Sequence, residues 1–94
     1  MPSTKNITNI MSERSREVFQ QIVENYLLTG EPMGSVALTE TLSEKVSAAT
    51  VRNVMQDLEI LGLLDSPHIS AGRIPTQLGL RMFVDGILEV GQAS

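Results

Sequence analysis

Between two apolar stretches runs Ser66-Pro-His-Ile-Ser-Ala-Gly-Arg-Ile-Pro-Thr76, a segment that no helix can cross. Pro67 and Pro75 fix φ and remove a backbone donor near each end, and Gly72 permits a turn that other residues resist. It is bounded before by the apolar pair Leu63-Leu64, and Arg73-Ile74 gives a second short extended run before Pro75. The pattern predicts two short strands joined by a turn-rich loop, and everything on either side must be arranged around that hairpin.

On both sides the periodicity is helical. From Ser12, a hydroxyl suited to an N-cap, Val18, Phe19, Ile22, Val23, Tyr26 and Leu27 recur at helical spacing until Gly30. Gly30-Glu-Pro-Met-Gly34 then predicts a turn, and Ser35 offers a cap to a short second helix carrying Val36, Ala37, Leu38 and Leu42. After Lys45-Val46, Ser47 caps a third helix, Ala48 to Leu61, with Gly62 as its C′ residue. Val51, Val54, Met55, Leu58 and Leu61 form its apolar stripe. At about 100° per residue, Ala49, Asn53, Gln56 and Ile60 point away from that stripe. Thr76 caps a fourth helix with one stripe of Leu80, Phe83, Val84, Ile87 and Leu88 and a second of Leu78 and Met82.

The order helix, helix, tight turn, helix, strand, loop, strand, helix is that of a winged helix-turn-helix. The fold class expected is mainly α with a small β-wing: a three-helix core, a two-stranded wing and a C-terminal fourth helix, over residues 12–91. Residues 1–11 are expected to fray, and 92–94 to lead toward a further region. A wing that lies along a sugar–phosphate backbone needs donors, a cation, a stiff turn and no acid. The Ser66–Thr76 segment has all of these, with His68, Ser70, Arg73 and Thr76 as its candidate contacts. Major-groove reading needs short or bidentate polar side chains on the exposed face where a helix begins. Ser47, Thr50, Asn53 and Gln56 meet that need, and Arg52 suits phosphate.

Each candidate also has a plainer reading. Ser47 can simply cap, Thr50 can be a neutral surface residue, and Arg52 can pair with nearby acids. His68 can hydrogen-bond the loop backbone instead of phosphate or the minor groove. For Arg73 no acid lies within seven residues on either side to suggest a local ion pair. Lys45, Arg81, Arg14 and Arg16 are candidates for backbone contact, or solvated charges.

Charge distribution decides more than total charge. The net charge of −4 opposes DNA, whose binding draws on Lys and Arg displacing counterions. Yet residues 45–56 contain Lys45 and Arg52, and residues 66–84 contain Arg73 and Arg81, with no Asp or Glu in either stretch. The first part of the third helix and the wing are therefore acid-free islands in an acidic chain. With no Cys and one His, a disulfide, a Cys-based zinc site and a thiol nucleophile are excluded, and no cofactor or metal is expected. No carboxylate pair or Ser/His arrangement resembles a catalytic site, so an enzyme is not expected. No apolar run approaches the roughly 18–20 residues that span a bilayer, which points to a soluble, cytoplasmic chain with no membrane partner.

Several long stretches, in order, carry a resemblance. Ser12-Glu-Arg-Ser-Arg-Glu17, Thr29-Gly-Glu-Pro-Met-Gly-Ser35, Thr50-Val-Arg-Asn-Val-Met-Gln-Asp-Leu-Glu59, Leu61-Gly-Leu-Leu64, Ser66 to Thr76 and Gly79-Leu-Arg-Met-Phe-Val-Asp85 resemble the N-terminal domain of the bacterial heat-inducible transcription repressor HrcA family. The resemblance covers about residues 11 to 91. It implies a winged-helix domain that binds double-stranded DNA, an inverted-repeat operator upstream of chaperone genes, as part of a homodimer. It also implies repression of those genes, association with the nucleoid, and dependence on the GroEL chaperonin. Carried over, the reading helix is Ser47 to Leu61 and the wing Ser66 to Thr76. Family members are several times longer, so this chain is expected to be a fragment of one. The alternative is a winged helix used only for protein contacts, prompted by the net charge and by Ile60, an outward apolar residue where the family usually has Glu.

Overall fold

The computed structural model describes residues 12–68 and 72–93, with side chains through residue 86. In chain order these form α1 (Glu13–Thr29), α2 (Ser35–Thr41), α3 (Ala48–Ile60), β1 (Leu64–Asp65), β2 (Ile74–Pro75) and α4 (Gln77–Ala93). Ser12 caps α1 as its sequence suggests, its Oγ accepting from the Ser15 N–H at 3.0 Å. At the other end the Gly30 N–H donates to the Tyr26 carbonyl at 2.8 Å.

One core serves all four helices. Val18, Phe19, Ile22 and Val23 of α1 meet Leu38 of α2, Val51, Met55 and Leu58 of α3, Leu63 and Leu64, and Met82 of α4. The predicted stripe of α3 is buried at Val51, Met55 and Leu58, half-buried at Val54 and exposed at Leu61, which ends the helix. Gly62 follows with φ 82°, the C′ position expected for it. In α2 only Leu38 is buried; Val36 is exposed, and Gly34, not Ser35, takes the N-cap position with no side-chain bond.

The short α2 is held by polar groups of α1. The Glu17 carboxylate accepts from the Ser43 N–H at 2.8 Å and the Ser43 hydroxyl at 3.0 Å, and Gln21 Nε2 donates to the Thr41 carbonyl at 3.2 Å. These bonds hold the turn between α2 and α3 against α1.

The strands are antiparallel, with Leu64 opposite Pro75 and Asp65 opposite Ile74. The hairpin does not stand alone. Met33, in the link before α2, forms a bridge with Arg73, each backbone N–H donating to the other's carbonyl at 3.0 Å. The sequence reading gave that link only as a turn, because a single bridging residue leaves no alternating pattern.

On the fourth helix both stripes reach the core: Met82 of the second is buried at 5% exposure and Leu80 and Phe83 of the first pack against the core, while Val84 is half exposed. A Cβ at Gly79 would meet the Leu63 carbonyl oxygen, so α4 lies close to the residue before β1 on its glycine side, and Met82, three residues on, joins the core. No described helix is long and apolar enough to cross a membrane.

Candidate nucleic-acid interface

Ser47 sets where α3 begins. Its Oγ accepts from the Thr50 N–H at 3.1 Å and donates to Thr50 Oγ1 at 3.0 Å, so the first turn is closed by hydroxyls with no acid in it. Substituting Ser47 by Ala should therefore cost about 1 kcal/mol of stability, read as a lower urea midpoint at unchanged m. An unchanged midpoint would mean the α3 N–H groups are satisfied without this cap.

Beyond the cap, Ala49, Arg52, Asn53, Gln56 and Ile60 are exposed, and Thr50 is half-buried. Asn53 in the second turn and Gln56 in the third are exposed, and among the described residues neither side chain is hydrogen-bonded to another. The expected outward line along α3 is thus present, and Ile60 closes it at 82% exposure. Lys45, in the turn preceding the cap, is exposed as well.

At the wing, the sequence-predicted contacts divide. His68 is exposed, and its carbonyl accepts a long bond of 3.4 Å from Ser66 Oγ. Ser70 lies outside the described residues. Thr76 is not a free hydroxyl: it donates to the Gly62 carbonyl at 2.6 Å and accepts from the Gly79 N–H at 3.0 Å. Its half-buried side chain ties the end of α3 to the start of α4, so the expectation of an available wing donor is corrected.

Arg73 requires a second correction. It lacks acids near it in sequence, but its Nε donates to Glu59 Oε1 of α3 at 2.8 Å, and its side chain is only 15% exposed. A signal for this pair was present: Glu59 stands four residues after Met55, on the side of α3 that faces the core. A carboxylate there needs a donor.

Among the flanking cations, Arg14 approaches Glu44 at 3.9 Å with both side chains well exposed, which is a weak association. Arg16 is exposed on α1. Arg81 is exposed on α4 and borders a shallow depression with Gln77, Leu78 and Leu80, apart from the α3 face. Arg52 and Arg73 are brought together instead. They line one cleft of about 350 Å³ between the start of α2, α3 and the base of the wing. Among the described residues, no group of three or more His, Cys, Asp or Glu is placed to hold a metal ion.

The arrangement is that of known DNA-binding proteins. A family profile described as "Winged helix-turn-helix transcription repressor, HrcA DNA-binding" matches residues 10–83. The heat-inducible transcription repressor HrcA of Rhizobium meliloti (strain 1021) is 58% identical over 93 residues, covering 99% of this chain and 26% of that protein. Its counterpart in Agrobacterium fabrum is 59% identical over 90 residues, covering 96% and 25%. A crystal structure of a protein described only as hypothetical superposes with a TM-score of 0.79 at 38% identity, covering 89% of this chain and 26% of that one. This chain thus spans about a quarter of the length of the curated relatives it matches. With a match from residue 10 to residue 83 and the helix-turn-helix and wing in place, the chain belongs to the winged helix-turn-helix DNA-binding family of HrcA transcription repressors.

Proposed function

We propose that the chain is the sequence-specific DNA-binding domain of a cytoplasmic repressor of heat-shock genes, reading one half of an inverted-repeat operator as part of a dimer. The observation that carries this reading is the exposed, acid-free start of α3, where Ala49, Arg52, Asn53 and Gln56 share the solvent side behind a Ser47 cap. The names of the relatives support the repressor role. Dimerisation, dependence on a GroEL chaperonin and association with the nucleoid belong to the same proposal and rest on the family resemblance. Asn53 and Gln56 are the base readers, each able to pair bidentately with an adenine edge, with Ser47 and Thr50 at the helix entrance. Lys45, Arg16 and Arg14 lie toward the phosphates, while His68 and Ser70 belong to the wing. Arg81, exposed on α4, is a further candidate backbone contact.

The test is fluorescence anisotropy of the chain, alone and fused to a neutral dimerising coil, on inverted-repeat and scrambled duplexes across a salt series. A lone domain offers few phosphate contacts, so tight binding requires two linked half-sites. Preference for the repeat by the fused form, falling steeply with salt, is the expected result. Equal weak binding of both duplexes by both forms would turn the assignment toward protein contacts around Ile60. Asn53→Ala should cost about 1–3 kcal/mol against the preferred duplex and little against random DNA. An equal loss on both duplexes would remove Asn53 from base reading.

A further inference from the structure

The cleft between α2, α3 and the wing base is lined by two arginines that the fold has gathered from distant parts of the sequence. Arg52 is exposed on its α3 wall, Arg73 forms its wing wall, and Gly34, Ser35 and Gly72 line its edge. A duplex sets a constraint on such a place. If α3 lies in the major groove and the wing follows the adjoining minor groove, the one sugar–phosphate strand dividing those grooves must pass between them. The cleft is where helix and wing meet.

Resting on the DNA-binding reading above, we propose that this cleft seats one backbone phosphate, clamped by Arg52 and Arg73, with Glu59 as a positioning residue that aims Arg73. Glu59 engages Arg73 through Nε alone, at 2.8 Å. A guanidinium has five N–H donors in a rigid fork, so the edge away from Nε can still take a phosphate oxygen. The 15% exposure of Arg73 means that its side chain is largely ordered before DNA arrives. An ordered Arg loses less freedom on binding than a solvated one. The charges also fit a single diester: Arg52 and Arg73 against Glu59 leave one net positive charge, which one phosphodiester neutralises. The acid that pairs with Arg73 is thus the group that holds it in place for the phosphate.

The chain fused to the neutral dimerising coil is used to enrich a binding duplex from a random pool, and that duplex is then scanned with single methylphosphonates, each removing one phosphate charge. One position per bound chain should cost the wild type about tenfold in affinity. Arg52→Ala and Arg73→Ala should each bind the unmodified duplex more weakly and lose less than about twofold further at that position, since the contact is already gone. Glu59→Gln should shrink the penalty at that position alone; a purely structural role would lower affinity without singling one out. Should Arg73→Ala fail to fold by circular dichroism, Arg73→Lys keeps the charge without the fork and should show a reduced penalty at the same phosphate. Penalties in Arg52→Ala identical to wild type at every position, or Arg52 and Arg73 mapping to different phosphates, would overturn the clamp while leaving DNA binding intact. A pool that enriches nothing would overturn both.

Discussion

Gly72→Ala should lower the stability of the domain by about 3 kcal/mol or more, among the largest losses from any single methyl group in this chain. Two independent causes coincide at this residue. Its φ of 96° lies where L side chains are strained, and a Cβ would stand 2.5 Å from the Met33 carbonyl carbon and oxygen and 2.8 Å from the Gly34 nitrogen. Those are backbone atoms, fixed by the paired bonds between Met33 and Arg73, and cannot swing aside as a side-chain end would. Relief therefore means breaking the bridge that joins the wing to the link before α2. In a domain of this size about 1 kcal/mol moves the melting midpoint by about 4–8 °C, so a fall of more than about 12 °C is expected. Gly86→Ala provides the control. It lies inside α4 with nothing within 4 Å of the added methyl, and should stabilise by up to about 1 kcal/mol. Comparable midpoints for the two variants would show that the wing base shifts freely and does not anchor the cleft.

The same bridge marks where sequence reasoning stops. Helix ends were legible because capping is local: Ser12 and Ser47 each accept from an N–H three residues on, and Gly62 follows α3 at positive φ, as expected of residues of those types. The outward line Ala49, Asn53, Gln56, Ile60 was legible because rotation per residue is fixed within a helix. What the sequence did not disclose depends on two elements meeting. Arg73 has no acid near it along the chain because its partner, Glu59, lies fourteen residues away on another element. Thr76 reads as a wing hydroxyl until the end of α3 is folded back so that its Gly62 carbonyl takes that proton. Met82 is buried and Val84 half exposed on a helix whose Gly79 meets the Leu63 carbonyl, and periodicity within α4 contains no information about the residue before β1. These three contacts fall at the junction of wing, α3 and α4, where long-range contacts outweigh local pattern.

Leu38→Ala should cost about 2–5 kcal/mol, and its effect should reach the reading helix. α2 is seven residues long, far below the length at which a helix is stable in water without tertiary support. Its N-cap, Gly34, supplies no side-chain bond, and Leu38 is its one buried residue, fully enclosed against α1 and α3. A domain of about 80 residues has a total stability on the order of 4–12 kcal/mol, so this loss takes a large part of it. The α2 amides should lose hydrogen-exchange protection first, ahead of those in α1, because the polar ties from Glu17 and Gln21 reach only the Thr41–Ser43 end. Val36→Ala tests whether burial rather than helix position is responsible: at 65% exposure in the same helix, it should change stability by less than about 0.5 kcal/mol. With α2 loosened, the start of the cleft and the turn before α3 lose their support, so duplex affinity should fall even where the Leu38→Ala protein remains folded. If stability fell by less than about 1 kcal/mol while affinity held, the Glu17 and Gln21 bonds, and not the apolar contact, would be what positions the helix-turn-helix.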